Sequence, residues 1–308
     1  MRDLKTVGVV GLGLIGARWA AVFAHAGLDV IAHDPDPARW QEFLEAAPQL
    51  YQDLEQVSPS AGPRGEVRFA QRLEHGSLPV DFVQENAPER IELKRRLLSE
   101  IEQAVAPDVV IASSSSALLV SDMQTECAHP ERIVLGHPFN PAHLMPLVEI
   151  VGGNHTASWA VDHARWVYER CGKKPVVMSR EMTGHIALRL MGAMWREAFF
   201  LIKSGIATAE DIDRAFCYGP GPKWTLQGSF VSNHLGAGGI EEFLVKYGPT
   251  YEAIWATLGD ASLDPDTCAE VVKQTRAIVA DRSEDELRAQ RDSGLVDILR
   301  TQKDKGAL

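Results

Sequence analysis

The chain has 308 residues, 45% hydrophobic and 24% charged, the balance of an ordinary globular protein long enough for two domains. Its 31 Lys and Arg against 42 Asp and Glu give a formal net charge of −11, which argues against nucleic acid and anionic membrane as partners. Cys127, Cys171, Cys217 and Cys268 lie far apart with no C-x-x-C pair, so neither zinc nor a disulfide framework is expected, and reduced thiols in a cytoplasmic protein are.

Residues 6–10 form a short β-branched run that ends in glycine and reads as a buried strand. Residues 14–26 carry apolar side chains at helical spacing (Ile15, Trp19, Val22, Phe23), and Gly27 is a good stop. Here the apolar stretch is too interrupted, by glycines, Arg18, His25 and Asp29, for a signal peptide or a span of roughly 20 residues. A second strand over residues 28–32 leads into the turn residues Asp34, Pro35, Asp36 and Pro37, and then into a helix over 38–54. Residues 58–65, rich in Pro, Gly and Ser, predict a loop. Strands follow at 67–70, 82–85 and 109–112, with a helix over 90–104, and two more strands at 133–137 and 147–151. Strands alternating with helices in this way predict an α/β, Rossmann-like, doubly wound parallel sheet for residues 1–180. From Gly184 onward Ile186, Leu190, Met194, Phe199 and Ile202 recur at helical spacing, and residues 181–308 predict an all-α second domain. Residues 218–224, with two glycines and two prolines, predict a rigid loop.

Gly11, Gly13 and Gly16 make a G-x-G-x-x-G turn directly after the first strand and at the start of the first helix. Gly11 permits the tight turn, Gly13 lets the backbone approach a pyrophosphate, and Gly16 lets helix and strand close up. The free amides at the helix start, around Leu14 and Ile15, suit phosphate. Asp34 ends the next strand 18 residues after Gly16, where a carboxylate accepts from ribose hydroxyls and repels a 2′-phosphate. The expected cofactor is therefore NAD.

His137, in the stretch Gly136-His137-Pro138-Phe139-Asn140-Pro141, and Glu149, in an apolar strand between Val148 and Ile150, are 12 residues apart. Histidine suits proton removal from an alcohol near neutral pH, and a carboxylate in an apolar strand usually has a partner. A strand, a turn and a return strand would bring the two together, although a structural histidine and an edge-strand glutamate fit the spacing equally well.

With the glycine turn, the serine run Ser113 to Ser116 and the H-P-F-N-P…L-V-E block in this order, the chain resembles the 3-hydroxyacyl-CoA dehydrogenase family over nearly its whole length. The resemblance implies NAD-dependent oxidation of a secondary 3-hydroxyl with His137 and Glu149 as a catalytic dyad. It also implies that Ser116 bonds the substrate oxygen beside the nicotinamide, that Asn140 lies close by, and that Ala87, Glu89 and Lys94 flank the cofactor. One position departs: Leu188 stands where the family has a polar residue early in the first helix of the second domain, with His185 and Arg189 as neighbours that could compensate. Trp195-Arg196-Glu197-Ala198 and the Tyr218 to Trp224 stretch resemble the family's short-substrate branch, which acts on free hydroxy acids. Carnitine is the expected substrate, with L-gulonate, a 3-hydroxyacyl-CoA and a non-catalytic, crystallin-like NAD-binding role as alternatives. A quaternary ammonium is held by aromatic faces, which makes Trp195, Tyr218, Trp224 and Phe230 candidate substrate contacts, though core or interface packing explains each of them as well. Lys223, Arg196 and Arg189 are candidate carboxylate anchors. The surplus of apolar helical faces in the second domain permits a homodimer through it, which the resemblance supports.

Overall fold

The computed structural model describes residues 3–306. By their contacts they form two compact units, one ending at Ile186 and the other starting at Ala187.

The first unit is built on one eight-stranded sheet of order β3-β2-β1-β4-β5-β6-β7-β8. Its strands are β1 (Thr6–Val10), β2 (Asp29–His33), β3 (Val67–Ala70), β4 (Phe82–Glu85), β5 (Val110–Ser113), β6 (Ile133–Pro138), β7 (Leu147–Gly152) and β8 (Lys174–Val177). All neighbours pair in parallel except β6 and β7, which form an antiparallel hairpin. The central strands are apolar on both faces because both are covered. Val7, Val9, Phe82, Val110, Ala112 and Val134 pack on one side with α1 (Leu14–His25), α2 (Ala38–Val57) and α5 (Ser158–Arg170). Val10, Val83, Ile111, Ile133 and Leu135 pack on the other with α3 (Ile91–Ala104) and the short α4 (Val120–Met123). The sequence expectations for β1 to β7 and for α1 to α3 hold to within a few residues at each end. Two elements have weak signals: α5, and β8, an edge strand whose Val176 and Val177 are exposed.

The helix α6 (His185–Lys203) runs from the end of the first unit into the second. The second unit continues with α7 (Ala209–Tyr218), α8 (Pro220–His234), α9 (Ile240–Trp255), α10 (Pro265–Val279) and α11 (Glu284–Asp304). Here α7 packs on α8 and α10, and α8 packs on α9. One expectation is overturned: residues 218–224 are not a rigid loop. Tyr218 closes α7, Gly219 alone separates the helices, and Pro220 to Trp224 are the first residues of α8. Pro220 and Pro222 fall in the first turn, where a helix has no use for their missing N–H groups. The irregularity lies further on, at Gly228, where φ +69 kinks α8.

Candidate active site

The turn from β1 into α1 is set by close contacts. Gly11 has φ +87, and a Cβ on Gly16 would lie 1.7 Å from the Gly11 carbonyl oxygen. A Cβ on Gly13 would meet nothing within 4 Å, and no side chain caps α1. The first-turn amides of α1, starting at Leu14 and Ile15, are therefore left for an incoming anion. Asp34 anchors the turn: Oδ2 accepts from the Leu12 amide at 2.8 Å and Oδ1 from the Asp36 amide at 2.9 Å. A cavity beside it is lined by Asp34, Pro35, Phe69, Gln71 and Arg72. Open space at Gly13, uncapped amides and a carboxylate at the end of β2 fit a dinucleotide with free ribose hydroxyls.

The end of β4 carries a buried ionic cluster. Glu85 is fully buried and accepts from Lys94 Nζ at 2.9 Å on each oxygen, from Ser113 Oγ at 2.6 Å and from the Ala87 amide at 2.6 Å. Lys94 also donates to the Ala87 carbonyl at 3.0 Å, so its ammonium points inward and fixes the turn at Ala87. Glu89 Oε1 accepts from Ser115 Oγ at 2.6 Å and from the amides of Ser116, Ala117 and Leu118 at 3.1, 2.9 and 3.2 Å. Burial works against the Glu89 carboxylate, but these donors and the Lys94 charge outweigh it and hold the carboxyl below its usual value. Glu89 thus shapes the loop that presents Ser116.

His137 and Glu149 face each other directly across the β6–β7 hairpin. His137 Nδ1 is 2.9 Å from Glu149 Oε2, and both side chains are buried. A carboxylate only accepts, so Nδ1 carries a proton, and in the neutral ring Nε2 is the nitrogen with the lone pair. The Ile186 amide, at the start of α6, donates to the other oxygen, Oε1, at 2.8 Å. His185, also buried, has its ring centroid 5.1 Å from that of His137, with Nε2 3.3 Å from the Ser115 carbonyl oxygen. Behind the hairpin, Tyr168 occupies the space left by Gly136, where a Cβ would lie 1.8 Å from the phenol oxygen. The hydroxyl donates to Gln84 Oε1 at 2.6 Å. The loop after β6, which carries the exposed Asn140, is tied down by Lys173, whose Nζ donates to the carbonyls of Ala142 at 2.5 Å and Met145 at 3.0 Å.

One face of the first unit thus gathers the glycine turn, the Glu85–Lys94 cluster, the Ser113 to Ser116 loop and the His137–Glu149 pair. Glu85 and Lys173 carry no sequence signal of a place in it, and Ser115 is visible in the sequence only as one of the serine run. In the second unit Leu188 is half-buried, while Trp195, Tyr218, Trp224 and Phe230 are exposed. Ring contacts pair Trp195 with Phe199 and Trp224 with Phe216, and among the described residues none joins two of these four candidates. Also among the described residues, no group of His, Cys, Asp or Glu could hold a metal ion and no helix is long and apolar enough to cross a membrane.

The doubly wound sheet with its uncapped glycine turn defines a dinucleotide-binding class, and its relatives place the chain among the NAD-dependent oxidoreductases that act on CH–OH groups. Family profiles make this specific: residues 6–182 match the 3-hydroxyacyl-CoA dehydrogenase NAD binding domain, and residues 184–240 match the 3-hydroxyacyl-CoA dehydrogenase C-terminal domain. The chain belongs to the 3-hydroxyacyl-CoA dehydrogenase family. It is 40% identical over 299 residues to an L-carnitine dehydrogenase of a Pseudomonas species, covering 96% of this chain and 93% of that one. An L-carnitine dehydrogenase of Streptomyces griseus is 41% identical over 304 residues, covering 97% and 90%. Among solved structures, 5-formyl-3-hydroxy-2-methylpyridine 4-carboxylic acid 5-dehydrogenase, described as an NAD+-dependent dismutase, superposes with a TM-score of 0.86 at 26% identity, covering 98% and 99% of the two chains.

Proposed function

We propose that the protein oxidises the 3-hydroxyl of a small hydroxy acid with NAD+, L-carnitine to 3-dehydrocarnitine first among the candidates, with His137 as general base. The observation that carries the chemistry is the His137–Glu149 pair, 2.9 Å apart and opposed across β6 and β7. The substrate hydroxyl gives its proton to His137 Nε2, and Glu149 keeps the ring in the Nδ1–H tautomer and offsets the charge of the imidazolium. Bound nicotinamide accepts the hydride that leaves the same carbon. Ser116, on the loop held by Glu89, and Asn140, on the loop held by Lys173, flank the substrate oxygen. The amides around Gly13, Leu14 and Ile15 take the pyrophosphate, and Asp34 the adenosine ribose. The choice of carnitine rests on the relatives of about 40% identity that carry that name over nearly their full length.

In this reading residues 1–180 hold NAD, and residues 181–308 are the substrate and dimerisation domain, with Leu188, Trp195, Tyr218, Trp224 and Phe230 as substrate contacts and a homodimer formed through it. The dimer is supported by how little the second unit buries: of its apolar side chains, only Val296 and Leu299 among the described residues are buried, while Leu190, Trp195, Val245 and Trp255 are more than half exposed. The free thiols and acidic balance fit a cytoplasmic setting.

The test follows NADH formation with L-carnitine, D-carnitine, L-gulonate and 3-hydroxybutyryl-CoA side by side. Turnover of L-carnitine well above the others is expected. Turnover of the thioester alone would replace carnitine with an acyl-CoA, and silence on all four with NAD still bound would favour the non-catalytic role.

A further inference from the structure

We infer that His185 is the positioning residue of the His137–Glu149 pair, a second, neutral imidazole that walls the base ring while its left-handed backbone turn delivers an amide to the carboxylate. The inference rests on the reading of His137 as the base.

His185 has φ +49, a conformation that side-chain-bearing residues rarely adopt, and it follows Gly184 at φ +81. Two successive left-handed residues, Gly184 before α6 and His185 at its start, swing the chain into the helix. The strained turn has two results at once. The His185 ring lies against that of His137, centroids 5.1 Å apart and planes tilted by 51°. The next amide, Ile186 N, reaches Glu149 Oε1 at 2.8 Å. Glu149 therefore has a donor on each oxygen, His137 on one and the start of α6 on the other, and cannot rotate without losing one of them. Strain retained at one residue whose neighbours hold both members of the pair has a use in the site.

The chemistry of the His185 ring matches this task. Nε2 faces the Ser115 carbonyl, an acceptor, so Nε2 bears the proton. Nδ1 is then a buried lone pair with no partner in the structure. The groups facing the ring are His137 on β6, Glu149 on β7, the Ser115 carbonyl, and Glu89 beyond it. Burial, followed by the charge that His137 can carry, lowers the His185 pKa, and the Ser115 carbonyl and the two carboxylates oppose this only in part. His185 thus stays neutral when His137 takes the substrate proton, and water is kept from the back of the base.

Removing the ring should admit water beside His137 and favour its charged form, which moves the acid limb of kcat/KM to higher pH. His185→Gly is the informative variant, because glycine adopts the left-handed turn freely and leaves the Ile186 amide in place. Its kcat should fall about tenfold or more with KM for NAD+ unchanged. Imidazole added to the buffer should restore much of the loss by refilling the cavity. His185→Asn, which also tolerates the turn, guards against a folding defect peculiar to glycine, and thermal melting checks both variants. A second readout needs no substrate: NMR titration of the His137 ring, assigned with His137→Gln, should move in both variants. An unchanged His137 titration, or wild-type kcat and pH profile in both variants, would overturn the inference. If wild type oxidises none of the hydroxy acids, the proposed function fails, while the NMR comparison still decides the coupling of the two rings.

Discussion

Lys173 is the buried cation with the least electrostatic support near the site. Its ammonium has two carbonyl acceptors and lies 5.4 Å from the Trp19 ring centre. Burial pulls it down from 10.5 to about 7, opposed weakly by Cys171, while the carbonyls and the indole face also favour the charged form. Between about 7 and 10.5 the unfolded chain binds a proton that the folded chain has released, so this group makes stability rise with pH across that window. Denaturant unfolding of wild type and Lys173→Met at pH 7 and pH 10 should show the gap between them widening in favour of wild type at the higher pH. Near pH 7 the variant should lose about 1–3 kcal/mol, since the Ala142 and Met145 carbonyls lose their donor. A gap that stays constant with pH would mean that the carbonyls keep the ammonium charged throughout. None of this could be read from the sequence, where Lys173 sits in a polar run, Gly172-Lys173-Lys174, like any surface lysine. His137 and Glu149 were legible for the opposite reason: each is a polar residue set into an apolar strand.

Strands and helices of the first unit were legible where both faces of the sheet are covered, because such strands read as unbroken apolar runs. β8 escaped because an exposed edge strand lacks that signature, and Lys174-Pro175 at its start reads as a turn. The Tyr218 to Trp224 stretch misled because proline and glycine mark both loops and helix starts, and only the neighbouring helices decide between them. The β1–α1 turn tolerates least change. Gly16→Ala would press a Cβ into the Gly11 carbonyl and force strand and helix apart. Calorimetric titration with NAD+ should then show affinity lowered about tenfold or more, the weight of one disturbed anion site of roughly 1.4 kcal/mol. Gly136→Ala should disturb the hairpin instead, by displacing Tyr168 from Gln84, and should lower thermal stability with less effect on NAD+ affinity.

At the scale of the whole molecule, the two units divide the work unequally. The first has two apolar cores of its own, one on each face of the sheet. The second has helices with apolar faces and, among the described residues, hardly any core, which is the pattern the proposed homodimer would cover. Analytical ultracentrifugation should therefore find a dimer of twice the 33.8 kDa chain mass at micromolar concentration. A stable monomer at that concentration would leave those faces uncovered and rule out the dimer.

Whether His137 takes the proton of the substrate hydroxyl is decided by His137→Gln, with NADH formation from L-carnitine and NAD+ affinity measured on the same preparation. Glutamine keeps a polar side chain of similar reach beside Glu149 but cannot act as a base near neutral pH. Turnover should fall about 10²–10⁴-fold with NAD+ affinity nearly unchanged. Turnover that survives the substitution would contradict the assignment of the base.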